Sequence, residues 1–202
     1  ATNIETQDAA QNLGQLINIM SDLDEGNVDN FADSLVRLGN NMPALESDIM
    51  NITTRIASQS DIIGLTTPQV LAWSTAIAST GQKSEAAGTA IAKTMTQIES
   101  AVAGGGEELE TFAEVAGMTA SQFAETWESD PNTALREFIA GLVAIDDSGD
   151  SMILKLEELG ITGVRQKQTI EGLAQTLDVL DDAIQMSQDA WDGVSDKWGA
   201  AG

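Results

Sequence analysis

The chain has no cysteine, no histidine and no tyrosine. Without cysteine there is no disulfide, no thiol nucleophile and no zinc–thiolate centre. Without histidine the commonest general base and metal ligand is missing. Neither a Ser-His-Asp triad nor a zinc site built on paired histidines can be assembled from these residues alone. Proline occurs 3 times and aromatic residues make up 4% of the chain. Basic residues are scarce too: Lys and Arg number 9 against 32 Asp and Glu, a formal charge of -23. A surface of that sign repels phosphate backbones and anionic lipid heads, which argues against a nucleic-acid or membrane-surface role. No apolar run approaches the ~18 residues of a transmembrane helix; the stretch from Phe138 to Ile145 is short and contains Gly141. No basic segment precedes an apolar one near the start, so no signal peptide is read. The chain opens on Ala1 and ends on Gly202, from which we expect a piece of something longer, with terminal processing as the rival explanation.

What is present favours close-packed helices. Hydrophobic residues make up 42% of 202 positions, enough for a real core. Apolar residues recur at helical spacing and no stretch alternates like a strand for long. Leu13, Leu16, Ile17 and Met20 form a first amphipathic piece, ended by Asp22 to Gly26. From Val28 the apolar positions run Phe31, Leu35, Leu38, Met42, Leu45, Ile49, Ile52 and Ile56, with a break near Gly39-Asn40-Asn41 and a new helix expected from Pro43. Thr67-Pro68 opens a helix that runs to about Thr80, and Ser84 is placed to cap the next, which carries Ile91, Met95 and Ile98. Gly104-Gly105-Gly106 reads as a hinge before a helix over Glu107 to Ala116. Thr119-Ala120-Ser121-Gln122 is a capping box ahead of Phe123 and Trp127. Asp130-Pro131 starts the helix of Leu135, Phe138, Ile139 and Leu142. A loop over Asp146 to Asp150 leads to a helix from Met152 to Leu159.

One local pattern occurs three times, as Gly64-Leu65-Thr66, Gly117-Met118-Thr119 and Gly160-Ile161-Thr162. It reads as a helix-to-helix corner. Glycine takes the left-handed position after the helix, the apolar residue packs back on the helix just ended, and threonine or its neighbour caps the next. The unequal spacings argue against an internal duplication.

Candidate chemistry is thin. A two-carboxylate glycosidase needs one acid raised by burial in an aromatic-lined cleft, and the four tryptophans are scattered. Asp146, Ser148, Asp150 and Glu157 fall at positions 1, 3, 5 and 12 of a calcium loop. The sixth position, however, is Ser151 rather than the glycine its turn requires, and a polar helix–helix loop is the simpler reading. Trp191-Asp192-Gly193 resembles the WxG turn of small secreted helical hairpins, but too little chain follows it for a second helix. Phe112, Phe123, Trp127 and Phe138 sit at helical spacing among aliphatic residues and read as core. No catalytic, cofactor-binding or metal residue is assigned, no cofactor is expected, and the chain is read as a non-enzyme.

The last segment differs from the rest. Ile170, Leu173, Leu177, Leu180, Ile184, Ser187, Trp191, Val194 and Trp198 are spaced alternately three and four apart, a heptad pattern with one polar position. A period of 3.5 favours a left-handed supercoil with a partner helix. The flanks Thr176, Ala183, Ala190, Ala174, Gln188 and Ser195 are small or uncharged, which suits three or more helices. We therefore expect homo-oligomers, plausibly trimers, through this seam. Folding back on its own domain is the alternative. The fold class expected is all-α: a compact bundle of short helices joined by these corners and flanked by longer amphipathic helices. Residues 1–42 would be N-terminal helices, 43–165 a core helical domain and 166–202 the heptad helix.

Several ordered stretches between about Val28 and Asp182 resemble the core region of tail tape measure proteins of long-tailed bacteriophages and prophages. They are Leu38-Gly39-Asn40-Asn41 with Glu46, Gly64-Leu65-Thr66 leading to Val70-Leu71-Ala72, and Ser79-Thr80-Gly81 with Glu85 to Ile91. Gly117-Met118-Thr119 with Phe123-Ala124 and Trp127, Asp130-Pro131 with Phe138 and Gly141-Leu142, and Leu156 to Ile161 with Gly163-Val164-Arg165 complete the series. The resemblance implies a structural role in the tail lumen. Such proteins template the tube and set its length, bind assembly chaperones in the host cytoplasm and tail-tip proteins, and leave ahead of the DNA. No catalytic residue belongs to this region. Outside the virion, the readings left are a soluble helical adaptor, a secreted hairpin-type protein and, more remotely, a hydrolase on paired acids.

Overall fold

A computed structural model describes residues 6–193. Among these there are eleven helices and no strand. The helices are α1 (Thr6–Ile19), α2 (Val28–Asn41), α3 (Glu46–Ile63), α4 (Thr67–Ser79), α5 (Ser84–Gly104), α6 (Gly106–Val115), α7 (Ala120–Ser129), α8 (Pro131–Asp147), α9 (Met152–Glu158), α10 (Val164–Ala174) and α11 (Leu177–Trp191). The all-α expectation is what the structure shows. The longest helices, α5 and α3, lie in the middle of the chain rather than at its flanks.

The architecture follows from α4. Val70, Leu71, Ala72, Trp73, Ala76 and Ile77 are buried, and so are Ser74 and Thr75 between them. A helix apolar around its whole circumference must be covered on every side. The cover comes from α2, α3, α5, α10 and α11, all of which pack on α4. The hydroxyls of Ser74 and Thr75 are satisfied within the helix: Ser74 Oγ donates to Val70 O and Thr75 Oγ1 to Leu71 O, each at 2.8 Å. Ser74 Oγ also accepts from Thr53 Oγ1 of α3 at 2.9 Å. The same core continues among α6, α7, α8 and α9 around the Phe112–Phe138 ring pair, with centroids 5.4 Å apart. Trp73 links α4 to α8 by donating from Nε1 to Asn132 Oδ1 at 2.9 Å. Trp127 likewise donates to Glu99 Oε2 of α5 at 2.7 Å.

The corners form as their chemistry requires. Gly64 has φ 87°, and the Leu65 N–H reaches back to Ser60 O at 2.9 Å, the six-to-one bond that closes a helix C-terminus. Met118 to Ala113 O and Ile161 to Leu156 O repeat it. Thr66 and Thr119 then cap α4 and α7 with Gln69 and Gln122 as box partners. At the third corner the neighbour takes the capping position: Thr162 is exposed and Gly163 stands at the N-cap of α10.

Other boundaries move for local reasons. The helix expected from Pro43 begins at Glu46. Met42 is held extended (φ -109°, ψ 155°), the conformation a following proline favours, and Leu45 becomes the N-cap. Ser84 is the first residue of α5 rather than its cap, and its hydroxyl bonds Asp48 of α3 instead.

The continuous heptad helix is replaced by two helices. Thr176 leaves helical geometry (φ -123°, ψ 26°), and its hydroxyl lies nearest Gly172 O, at 3.2 Å. Gly172 adds a weak helix former one turn earlier. Most of the seam turns inward: Ile170, Leu173 and Leu180 are buried, while Leu177, Ile184 and Trp191 pack on the core from its edge. On α11 the buried line includes the flank Ala183 and Ala190 and the polar Ser187. α11 packs on α4 and α2. Val194 and Trp198 lie outside the described residues.

Candidate functional site

The acids of this chain are largely engaged in local architecture. Asp22 accepts from the Thr67 N–H at 2.7 Å and the Thr67 hydroxyl at 2.6 Å, tying the α1–α2 loop to the start of α4. Asp130 caps α8 through Thr133. Arg136 of α8 forms two parallel bonds to Asp181 of α11, at 2.9 and 2.7 Å, and one to the adjacent Glu137. The Asp181 hydrogen bonds hold the guanidinium above its ordinary affinity for its proton, against a smaller opposing effect of burial. For Lys155, burial alone would lower the pKa. Hydrogen bonds to Glu158 and Glu114 outweigh it, and the ammonium is held above the ordinary lysine range.

The calcium-loop residues are divided between the end of α8, the short loop after it and α9. Asp146 and Asp147 stand in the last turn of α8, and Ser151 serves as the N-cap of α9, accepting from Leu154 N–H at 3.3 Å. Among the described residues no group of three acids converges as a metal site would need. Trp191 ends α11 and is half-buried against the core, with Gly193 at φ 67° just beyond.

A groove of about 740 Å³ lies between α6, α8 and α9. Ala140, Gly141 and Ala144 line its floor, Glu114, Glu137 and Glu158 its walls, and Lys155 reaches into it between Glu114 and Glu158. Gly141 permits this geometry: a Cβ there would stand 1.6 Å from Val115 O, so α8 crosses the end of α6 backbone to backbone. Leu154 is 61% exposed on the rim. The groove offers carboxylates, one engaged ammonium and apolar surface.

No described helix is long and apolar enough to cross a membrane. Among the described residues the aromatics lie in the core or pack against it, and many of the acids cap or pair helices. Residues 1–112, more than half of the chain, match the family of phage-related minor tail proteins, and the chain belongs to that family. A structural role in a phage tail, and association with the virion, follow from the membership. No curated protein and no solved structure matches the chain.

Proposed function

We propose that this chain is a segment of a tape measure protein: a helical docking domain packed in the tail lumen during tube assembly and released when DNA is ejected. The observation that carries the reading is the family match over residues 1–112, joined to the ordered corner motifs that continue to about residue 165. A continuous helix of this length would span about 300 Å. Folded into eleven short helices, the described residues are far more compact, which suits a docking element better than the length-setting rod. The partners that fit are tail tube and tail-tip proteins and the assembly chaperones that hold the chain beforehand. The charge of -23 has a use in a narrow tube, where it keeps the filling from adhering to passing DNA.

Self-association would have to use surfaces other than Ile170, Leu173 and Leu180, which the domain's own core occupies. The reading is tested by removing the codons for residues 43–165 in frame from the phage or prophage and imaging the lysate by electron microscopy. Absent tails, or tails of irregular length, are expected. Uniform tails of normal length would overturn it.

A further inference from the structure

In a chain with 32 acids and only 9 basic residues, almost every cation should find a carboxylate. Arg37, Arg55, Arg136, Lys155 and Lys167 do. Among the described residues Lys83, Lys93 and Arg165 do not. All three are exposed, and all three line one trough of about 680 Å³ between α3, α5 and the start of α10. Arg55 lines it too, and the single carboxylate there, Glu85, is held by Arg55 at 3.1 Å. Four cations against one acid make this a local reversal of the charge that dominates the chain. The first turn of α10, whose glycine N-cap supplies no side-chain acceptor, adds potential of the same sign. The volume lies in the range of ligand-binding clefts. A second hollow of about 500 Å³ adjoins it, sharing Arg55 and Thr89 and continuing along Asn51 and Thr54 to Asn12.

We infer that this trough docks an acidic peptide segment of a partner protein. The cations receive its carboxylates, and the neutral amides and hydroxyls of the adjoining hollow receive its backbone. A nucleic acid fits worse for two reasons. No aromatic side chain lines either hollow to stack a base. Any strand longer than the trough also lays further phosphates against an acidic surface. A peptide brings few charges, and basic flanks on it meet the surrounding acids favourably. This inference rests on the charge distribution and stands independently of the tail reading.

The test uses the full chain and fluorescence anisotropy. The probe is a labelled peptide with a run of central glutamates and lysines at each end, compared with the same peptide carrying glutamine in place of glutamate and with a short oligothymidylate. Saturable binding of the glutamate peptide at low ionic strength is expected, with the glutamine peptide weaker by about tenfold or more. The double variant Lys93→Gln/Arg165→Gln alters two exposed side chains, and its circular dichroism spectrum verifies the fold. It should weaken binding of the glutamate peptide by a similar factor, and weaken the glutamine peptide far less. Equal binding of the two peptides, equal binding by the double variant, or tighter binding of the oligonucleotide would overturn the inference.

Discussion

Replacing Gly141 by alanine should destabilise the domain although alanine is the better helix former. The added Cβ would lie 1.6 Å from Val115 O and 2.7 Å from Val115 C. Carbon and oxygen in contact sit roughly 3.3 Å apart at closest. The obstruction is main chain, so α8 must shift away from α6 and disturb the Phe112–Phe138 pair between them. Overpacking of this kind costs about 1–3 kcal/mol, towards the upper end where backbone must move. The gain in helix propensity, about 0.5–1 kcal/mol, offsets part of it. A net loss of about 2 kcal/mol corresponds to a fall in Tm of roughly 4–8 °C for a domain of this size. Thermal and urea unfolding followed by circular dichroism measure it. Gly14→Ala is the internal control: Gly14 lies on the exposed face of α1, nothing stands within 4 Å of its Cβ position, and stability should rise by about 0.5–1 kcal/mol. A Gly141→Ala protein as stable as the parent would refute the backbone-to-backbone crossing.

Further outcomes follow from the same contacts. Asn132→Leu strands the buried indole N–H of Trp73 and should cost about 1–3 kcal/mol in urea unfolding. Ser187→Ala removes a buried hydroxyl that has no hydrogen-bond partner, and should leave stability unchanged or raise it by up to about 1 kcal/mol in the same assay. A double-mutant cycle on Arg136→Met and Asp181→Asn should give a coupling of about 0.5–1 kcal/mol, since the pair is half-exposed and screened by solvent. Because Lys155 binds its proton more tightly folded than unfolded, its ion pairs support the fold below the ordinary lysine value of 10.5 and are lost as pH rises through the higher folded value. Lys155→Gln should therefore flatten the alkaline end of a stability–pH profile. Added sodium chloride should raise Tm, because it screens the self-repulsion of an acidic chain.

Local rules were the legible part of this fold. A glycine followed by a large apolar residue specifies its own helix end through two backbone bonds, so Gly64, Gly117 and Gly160 could be placed without knowing the tertiary structure. The same holds for Thr119 with Gln122 and for Asp130 before Pro131. The heptad of the last segment misled because periodicity reports that a stripe is buried, not by what. Ile170, Leu173 and Leu180 satisfy their pattern against the chain's own helices as well as they would against another copy. Nor does periodicity register the tertiary approach of Thr176 Oγ1 to Ala76 O, 3.5 Å apart, which accompanies the break between α10 and α11. Gly141 reads along the chain only as an interruption, since its reason is a carbonyl 26 residues away. The cationic trough was invisible for a similar reason. Arg55, Lys83, Lys93 and Arg165 are dispersed over 110 residues, and only the packing of α3, α5 and α10 gathers them.

Quantitative mass spectrometry of purified virions before and after triggered DNA ejection would show whether this chain is packed in the tail and carried out of it. Peptides of this chain are expected at a fixed ratio to the tube protein in intact particles, and to be lost from emptied tails. Peptides absent from intact virions, or retained in full after ejection, would contradict the proposed role.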